Sequence, residues 1–118
     1  MKKSWIVFFV IVVAVLGLVV FLSTGRKPTE DYDEFARCLS EKGATMYGTY
    51  WCRYCKNQKA IFGDSFQYVD YVECTENPGL CLEKGIRGYP TWIIDGKQYP
   101  GEQSFERLSE LTGCDLND

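Results

Sequence analysis

The chain has 118 residues, 46% of them apolar, with 13 basic and 16 acidic side chains, six cysteines and no histidine. That length holds one domain and no more, and the net charge of −3 argues against nucleic acid as a partner. With Lys2 and Lys3 set aside, the remainder carries 11 basic and 16 acidic groups, a net of −5, a mild acidic excess that serves solubility.

In chain order, Lys2 and Lys3 precede an unbroken apolar run from Trp5 to Leu22. As a helix this run rises about 27 Å, close to the bilayer core of about 30 Å. Positive charge ahead of it predicts a cytoplasmic N-terminus at residues 1–4, with the rest outside. A cleaved signal peptide is the competing reading, but its apolar region is usually shorter. The flank Phe21-Leu22-Ser23-Thr24-Gly25-Arg26 is also a poor small-x-small cleavage site. The preferred organisation is a transmembrane signal anchor over 5–22, a linker over 23–30 and an extracytoplasmic domain over 31–118. A lipid anchor is not indicated, since no cysteine directly follows the run. Both readings export the domain, so its cysteines read first as disulfides that supplement a modest core.

Asp31, with Glu34 three residues on, has the pattern of a capping box. Tyr32, Phe35, Cys38 and Leu39 follow at helical spacing, and Gly43 stops that helix. Ala44 to Tyr50 reads as a strand, Cys52 to Phe62 as a helix ended by Gly63, and Phe66 to Cys74 as a stretch holding a strand. Asn77-Pro78-Gly79 is a turn signal before a short helix over 80–84. Thr91 to Ile94 and Lys97 to Tyr99 form a hairpin about Asp95-Gly96. Ser104 caps a last helix that turns Phe105, Leu108 and Leu111 inward and ends at Gly113. Strand, helix and strand followed by a hairpin and a covering helix predict an α/β fold with a mixed sheet and helices on both faces.

Trp51-Cys52-Arg53-Tyr54-Cys55 stands where the first strand gives way to a helix. One helical turn brings both sulfurs to the same face, where they can close or release a small disulfide. A thiolate on Cys52 would be stabilised by the helix dipole and the free N–H groups. Arg53 adds positive charge beside it, which favours the reduced pair and hence an oxidising couple. Cys55, one turn in, would be the resolving thiol. The alternatives are a permanent turn disulfide or a metal half-site. Without histidine, zinc would need four thiolates, and Cys74 and Cys81 are not spaced as a second knuckle. No metal and no cofactor is therefore expected, with a Cu(I)-binding thiolate module as the rival from another class. Cys74 and Cys81 bracket the Asn-Pro-Gly turn, and a bridge between them would pin the strand end to the short helix. A second redox relay to Cys52 and Cys55 is the other use for them.

The element order, with Trp-Cys-x-x-Cys after the first strand and Gly85-Ile86-Arg87-Gly88-Tyr89-Pro90-Thr91 before the third, resembles the thioredoxin family over roughly residues 44–113. Phe35-Ala36-Arg37-Cys38-Leu39, Met46-Tyr47-Gly48, Gln58-Lys59, Tyr71-Val72-Glu73-Cys74 and Gly88-Tyr89-Pro90-Thr91-Trp92 look like the thioredoxin-like domain fused to vitamin K epoxide reductase homologues. Here that domain would be a stand-alone membrane-anchored module. The resemblance implies thiol–disulfide oxidoreductase activity on exported cysteine-containing proteins. It also implies a cis bond before Pro90, and a substrate strand held by Tyr89, Pro90 and Thr91, with Trp51 and Tyr54 as an apolar rim. A quinone-linked membrane partner would recharge an oxidase, and a membrane electron donor would feed a reductase using the same residues. The fold also allows a Cys38–Cys114 bridge, closing a loop of roughly 77 residues worth roughly 4 kcal/mol. The family's buried acid six residues before the first cysteine is replaced by Met46. Glu73 on the next strand is either its substitute or a solvated strand residue, the latter preferred.

Overall fold

A computed structural model of the chain describes residues 2–24 and 32–116. The chain divides into two units at residue 30. The first is helix α1, Lys2–Thr24, whose Lys2–Phe21 stretch has a mean hydropathy of 3.0. It is long and apolar enough to cross a bilayer, as an anchor or a signal would be. The linker expected over 23–30 and the cap expected at Asp31 lie outside the described residues, Ser23 and Thr24 excepted.

The second unit contains α2 (Asp33–Glu41), β1 (Thr45–Gly48), α3 (Arg53–Phe62), a 3₁₀ segment over Gly63–Tyr68, and β2 (Asp70–Glu73). It continues with α4 (Pro78–Glu83), β3 (Thr91–Ile94), β4 (Lys97–Pro100) and α5 (Phe105–Thr112). The strands form one sheet in the order β2-β1-β3-β4, with β1 parallel to β2 and the other pairs antiparallel. This is the mixed sheet with flanking helices that the sequence predicts.

Alternation along the strands builds two cores. Met46, Trp92 and Ile94 turn to one face, where Phe35 and Leu39 of α2, Phe62 of α3 and Leu108 of α5 meet them. Phe62 is the hub, with ring contacts to Phe35, Phe66, Trp92 and Phe105. Tyr47, Val72 and Ile93 turn to the other face and pack with Cys74 and with Cys81 of α4.

Local chemistry sets the element ends. Asp95 and Gly96 both adopt positive φ, 52° and 77°, as a tight two-residue hairpin turn requires. Ser104 Oγ accepts the Arg107 amide at 3.1 Å and caps α5. At α2 the N-cap position is Tyr32, without a side-chain cap. Instead the Tyr32 amide donates to Ser65 Oγ at 3.1 Å, and that hydroxyl donates to Asp33 at 2.6 Å. The start of α2 is thereby stapled to the 3₁₀ segment. The strand expected within Phe66–Cys74 is β2, which starts at Asp70. Phe66 and Tyr68 stay in the 3₁₀ turn, where Phe66 meets Phe62 at 5.9 Å and Arg37 covers the Tyr68 ring at 4.1 Å.

Candidate active site

Cys52 is the N-cap of α3. Its Sγ accepts the Cys55 amide at 3.1 Å, so the sulfur occupies the position of a capping oxygen and receives an N–H that would otherwise lack a partner. Both Cys52 and Cys55 are free thiols. Cys52 retains 7% exposure and Cys55 none, the order expected of an attacking and a resolving sulfur. Burial pushes the Cys55 thiol up to about 12. The hydrogen bond with Cys52 works in the same direction, while the Thr49 backbone and the Lys59 ammonium oppose it.

Around this pair the surface is aromatic. Tyr50, Trp51 and Tyr54 are 66%, 59% and 61% exposed. Arg53 is exposed on the first turn of α3. The Trp51 ring meets Tyr89 edge-on at 6.1 Å, bringing the segment ahead of Cys52 against the loop ahead of β3. The Tyr89–Pro90 bond is cis. Pro90 is buried, and its carbonyl accepts the Gly101 amide at 2.7 Å. Thr91 is buried as well, and its hydroxyl donates to the Gly88 carbonyl at 2.7 Å. Thr91 therefore braces the loop from behind, and Tyr89 is the half-buried residue at its face.

The remaining cysteines form Cys38–Cys114 and Cys74–Cys81 disulfides. Among the described residues no cluster of histidine, cysteine, aspartate and glutamate is arranged to hold a metal.

Three residues near Cys55 escape a linear reading. A β-carbon on Gly48 would lie 2.8 Å from Cys55 Sγ and 3.4 Å from Tyr71 Cε2, so the sulfur and the ring edge flank the same bare backbone. Tyr71 reaches this place because parallel pairing sets it beside Met46. Lys59 lies 4.0 Å above its ring. The Tyr71 hydroxyl donates to Glu73 at 2.9 Å, and the Thr75 hydroxyl donates to the same carboxylate at 2.8 Å. Burial works to raise the Glu73 carboxyl, but these bonds hold it below its usual range. Burial and Glu73 together raise Tyr71 above its ordinary value. Glu73 is a partly exposed carboxylate held by the Tyr71 and Thr75 hydroxyls. The signal was present as Tyr-x-Glu on one strand face, but only the register gives it meaning.

No family model matches the chain. The chain is 38% identical over 91 residues to a thiol-disulfide oxidoreductase, LTO1, of Arabidopsis thaliana, an alignment covering 70% of this chain and 24% of that protein. It is 32% identical over 79 residues to protein disulfide isomerase-like 2-2 of Oryza sativa subsp. japonica, covering 55% of this chain and 21% of the relative. Protein disulfide isomerase-like 2-1 of the same plant is 30% identical over 79 residues, covering 55% and 22%. The chain spans about a quarter of the length of these relatives. These likenesses and the mixed sheet with its flanking helices support a thioredoxin-like family, and the relatives are named for thiol-disulfide oxidoreduction and disulfide isomerisation. In this thioredoxin-like domain the two free thiols sit on one helix turn beside the Tyr89–Pro90 loop, while the other four cysteines are bonded to one another.

Proposed function

We propose that the protein is a membrane-tethered, extracytoplasmic thiol–disulfide oxidoreductase that works through Cys52 and Cys55. The observation that carries this reading is the helix-capping position of Cys52, with Cys55 buried behind it and Tyr89 against the adjoining Trp51. A sulfur there has the helix N-terminus to stabilise its negative charge as an attacking or leaving group. Arg53 adds positive charge on the same turn. The Tyr89 backbone offers an extended substrate a strand to pair with, and Trp51 and Tyr54 supply an apolar rim. Cys38–Cys114 and Cys74–Cys81 act as structural staples.

In the oxidising direction, a substrate thiolate attacks Cys52 Sγ of the Cys52–Cys55 disulfide, and Cys55 leaves as a thiolate that takes up a proton. A second substrate thiolate then attacks the substrate sulfur of the mixed disulfide and releases Cys52. Two electrons have passed from the substrate dithiol to the cysteine pair. A quinone-linked membrane partner like the vitamin K epoxide reductase homologues accepts them and restores the disulfide. The apolar helix α1 supports tethering beside such a partner, with residues 1–4 in the cytoplasm and residues 31–118 outside. The substrates are exported cysteine-containing proteins.

A Cys55→Ala variant tests the site. It should accumulate mixed disulfides between Cys52 and exported proteins, visible as adducts that reductant dissolves. Absence of any adduct, with tight Cu(I) binding in its place, would replace the reading with a thiolate metal module. A Cys52–Cys55 pair found mostly oxidised in the cell supports the oxidase, and a mostly reduced pair the reductase.

A further inference from the structure

Gln58 lies three residues beyond Cys55 on the inward face of α3, 1% exposed, between buried Cys55 and buried Phe62. Burying a carboxamide there is unfavourable unless its polar atoms are paired. Its oxygen accepts the indole N–H of Trp92 at 3.1 Å and the amide N–H of Gln103 at 2.7 Å. Its nitrogen donates to the Gln103 carbonyl at 3.0 Å. The orientation is forced, because an indole N–H and a backbone N–H can only donate.

These partners lie on both sides of the substrate loop. Trp92 is two residues beyond Pro90, on β3. Gln103 is two residues beyond Gly101, whose amide is bonded to the Pro90 carbonyl. One side chain therefore ties the helix that carries both cysteines to the strand leaving Pro90 and to the segment bonded to Pro90. We propose that Gln58 is a positioning residue for disulfide exchange: it sets the spacing between the Cys52–Cys55 pair and the Pro90 loop, and so the fit of an extended polypeptide against Cys52. The inference rests on the oxidoreductase reading above. Gln58 touches neither substrate nor sulfur, so its loss should reach substrates that dock on the loop and spare those too small to use it.

The test compares two disulfides on the full chain in detergent, a disulfide-containing peptide and 2-hydroxyethyl disulfide. Gln58→Met keeps the size of the side chain and removes all three hydrogen bonds. It should lower peptide exchange by about tenfold or more, the scale on which misplaced reacting groups lose rate. Small-disulfide exchange and the alkylation rate of Cys52 should stay at the wild-type value. Trp92→Phe, which removes only the indole donor, should show the same selective loss if Gln58→Met does not fold. Equal loss on both disulfides, or unaltered peptide exchange in a folded variant, would overturn the proposal. A wild-type chain inactive on both would instead defeat the oxidoreductase reading itself.

Discussion

The two short-range cysteine pairs of this domain have opposite surroundings. Cys52 and Cys55 share the first turn of a ten-residue helix, and the Cys55 amide points at the Cys52 sulfur. Cys74 and Cys81 stand seven apart across a turn, and their amides are already taken: Cys74 donates to the Gly48 carbonyl and Cys81 to the Asn77 carbonyl. An amide directed at a sulfur stabilises a thiolate and keeps the bond exchangeable. The Cys74–Cys81 pair is closed as a disulfide within the smaller core, which fits the proposed clamp. Spacing alone does not distinguish the two pairs; the Cys55 N–H directed at the Cys52 sulfur supports the proposed division of roles.

Substitutions can break this contrast. Cys52→Ser should abolish exchange, whereas a Cys74→Ser, Cys81→Ser double variant should retain it once folded; turnover of a peptide disulfide measures both. Removing Cys38–Cys114 should cost roughly 4 kcal/mol of stability and removing Cys74–Cys81 roughly 2.5, from their loop lengths in the chain-entropy model. Denaturant unfolding would show the order, and a larger loss from the short bridge would mean that it does more than close a loop. Gly48→Ala drives a methyl group toward Cys55 Sγ and should destabilise by about 1–3 kcal/mol, while also slowing closure of the Cys52–Cys55 bond in stopped-flow traces.

The last expected effect concerns pH. Because burial raises the Cys55 thiol toward about 12, it is protonated at neutrality, and only its thiolate attacks a mixed disulfide. Escape from a Cys52-linked mixed disulfide should therefore speed up about tenfold per pH unit from 7 to 9, as the thiolate fraction grows. In that adduct Cys52 carries no charge, which lowers the Cys55 thiol somewhat, but burial, the largest cause, remains. A flat profile would show that another group takes the proton before attack.

Much of the fold was legible because its punctuation is local. Ser104 caps α5, Asp95-Gly96 closes the hairpin, and Gly63 and Gly113 end helices at the predicted places. The strand expected within Phe66–Cys74 is there as Asp70–Glu73, and only its starting residue could not be read, because the aromatic residues ahead of it suit a pleated surface as well. In the structure those rings are claimed by Phe62 and Arg37, and tertiary packing overrides propensity. At the site, the cysteine pair and the Tyr89–Pro90 loop are contiguous motifs and could be read directly. Gly48, Tyr71 and Lys59 gather around Cys55 through parallel pairing and helix phase. Gln58 acquires its partners from segments 34 and 45 residues away, a separation no local pattern encodes.

Tyr89 packs against the main core that holds Cys52 and Cys55, and also against the smaller core that holds Cys74 and Cys81. A polypeptide pressing on this one ring loads both faces of the sheet at once. If the proposed docking on Tyr89 holds, the Cys74–Cys81 bridge on the far face is a backstop for it. Hydrogen exchange with a trapped peptide should register this as slowed amides in β2 and α4, on the side of the sheet that the peptide never touches.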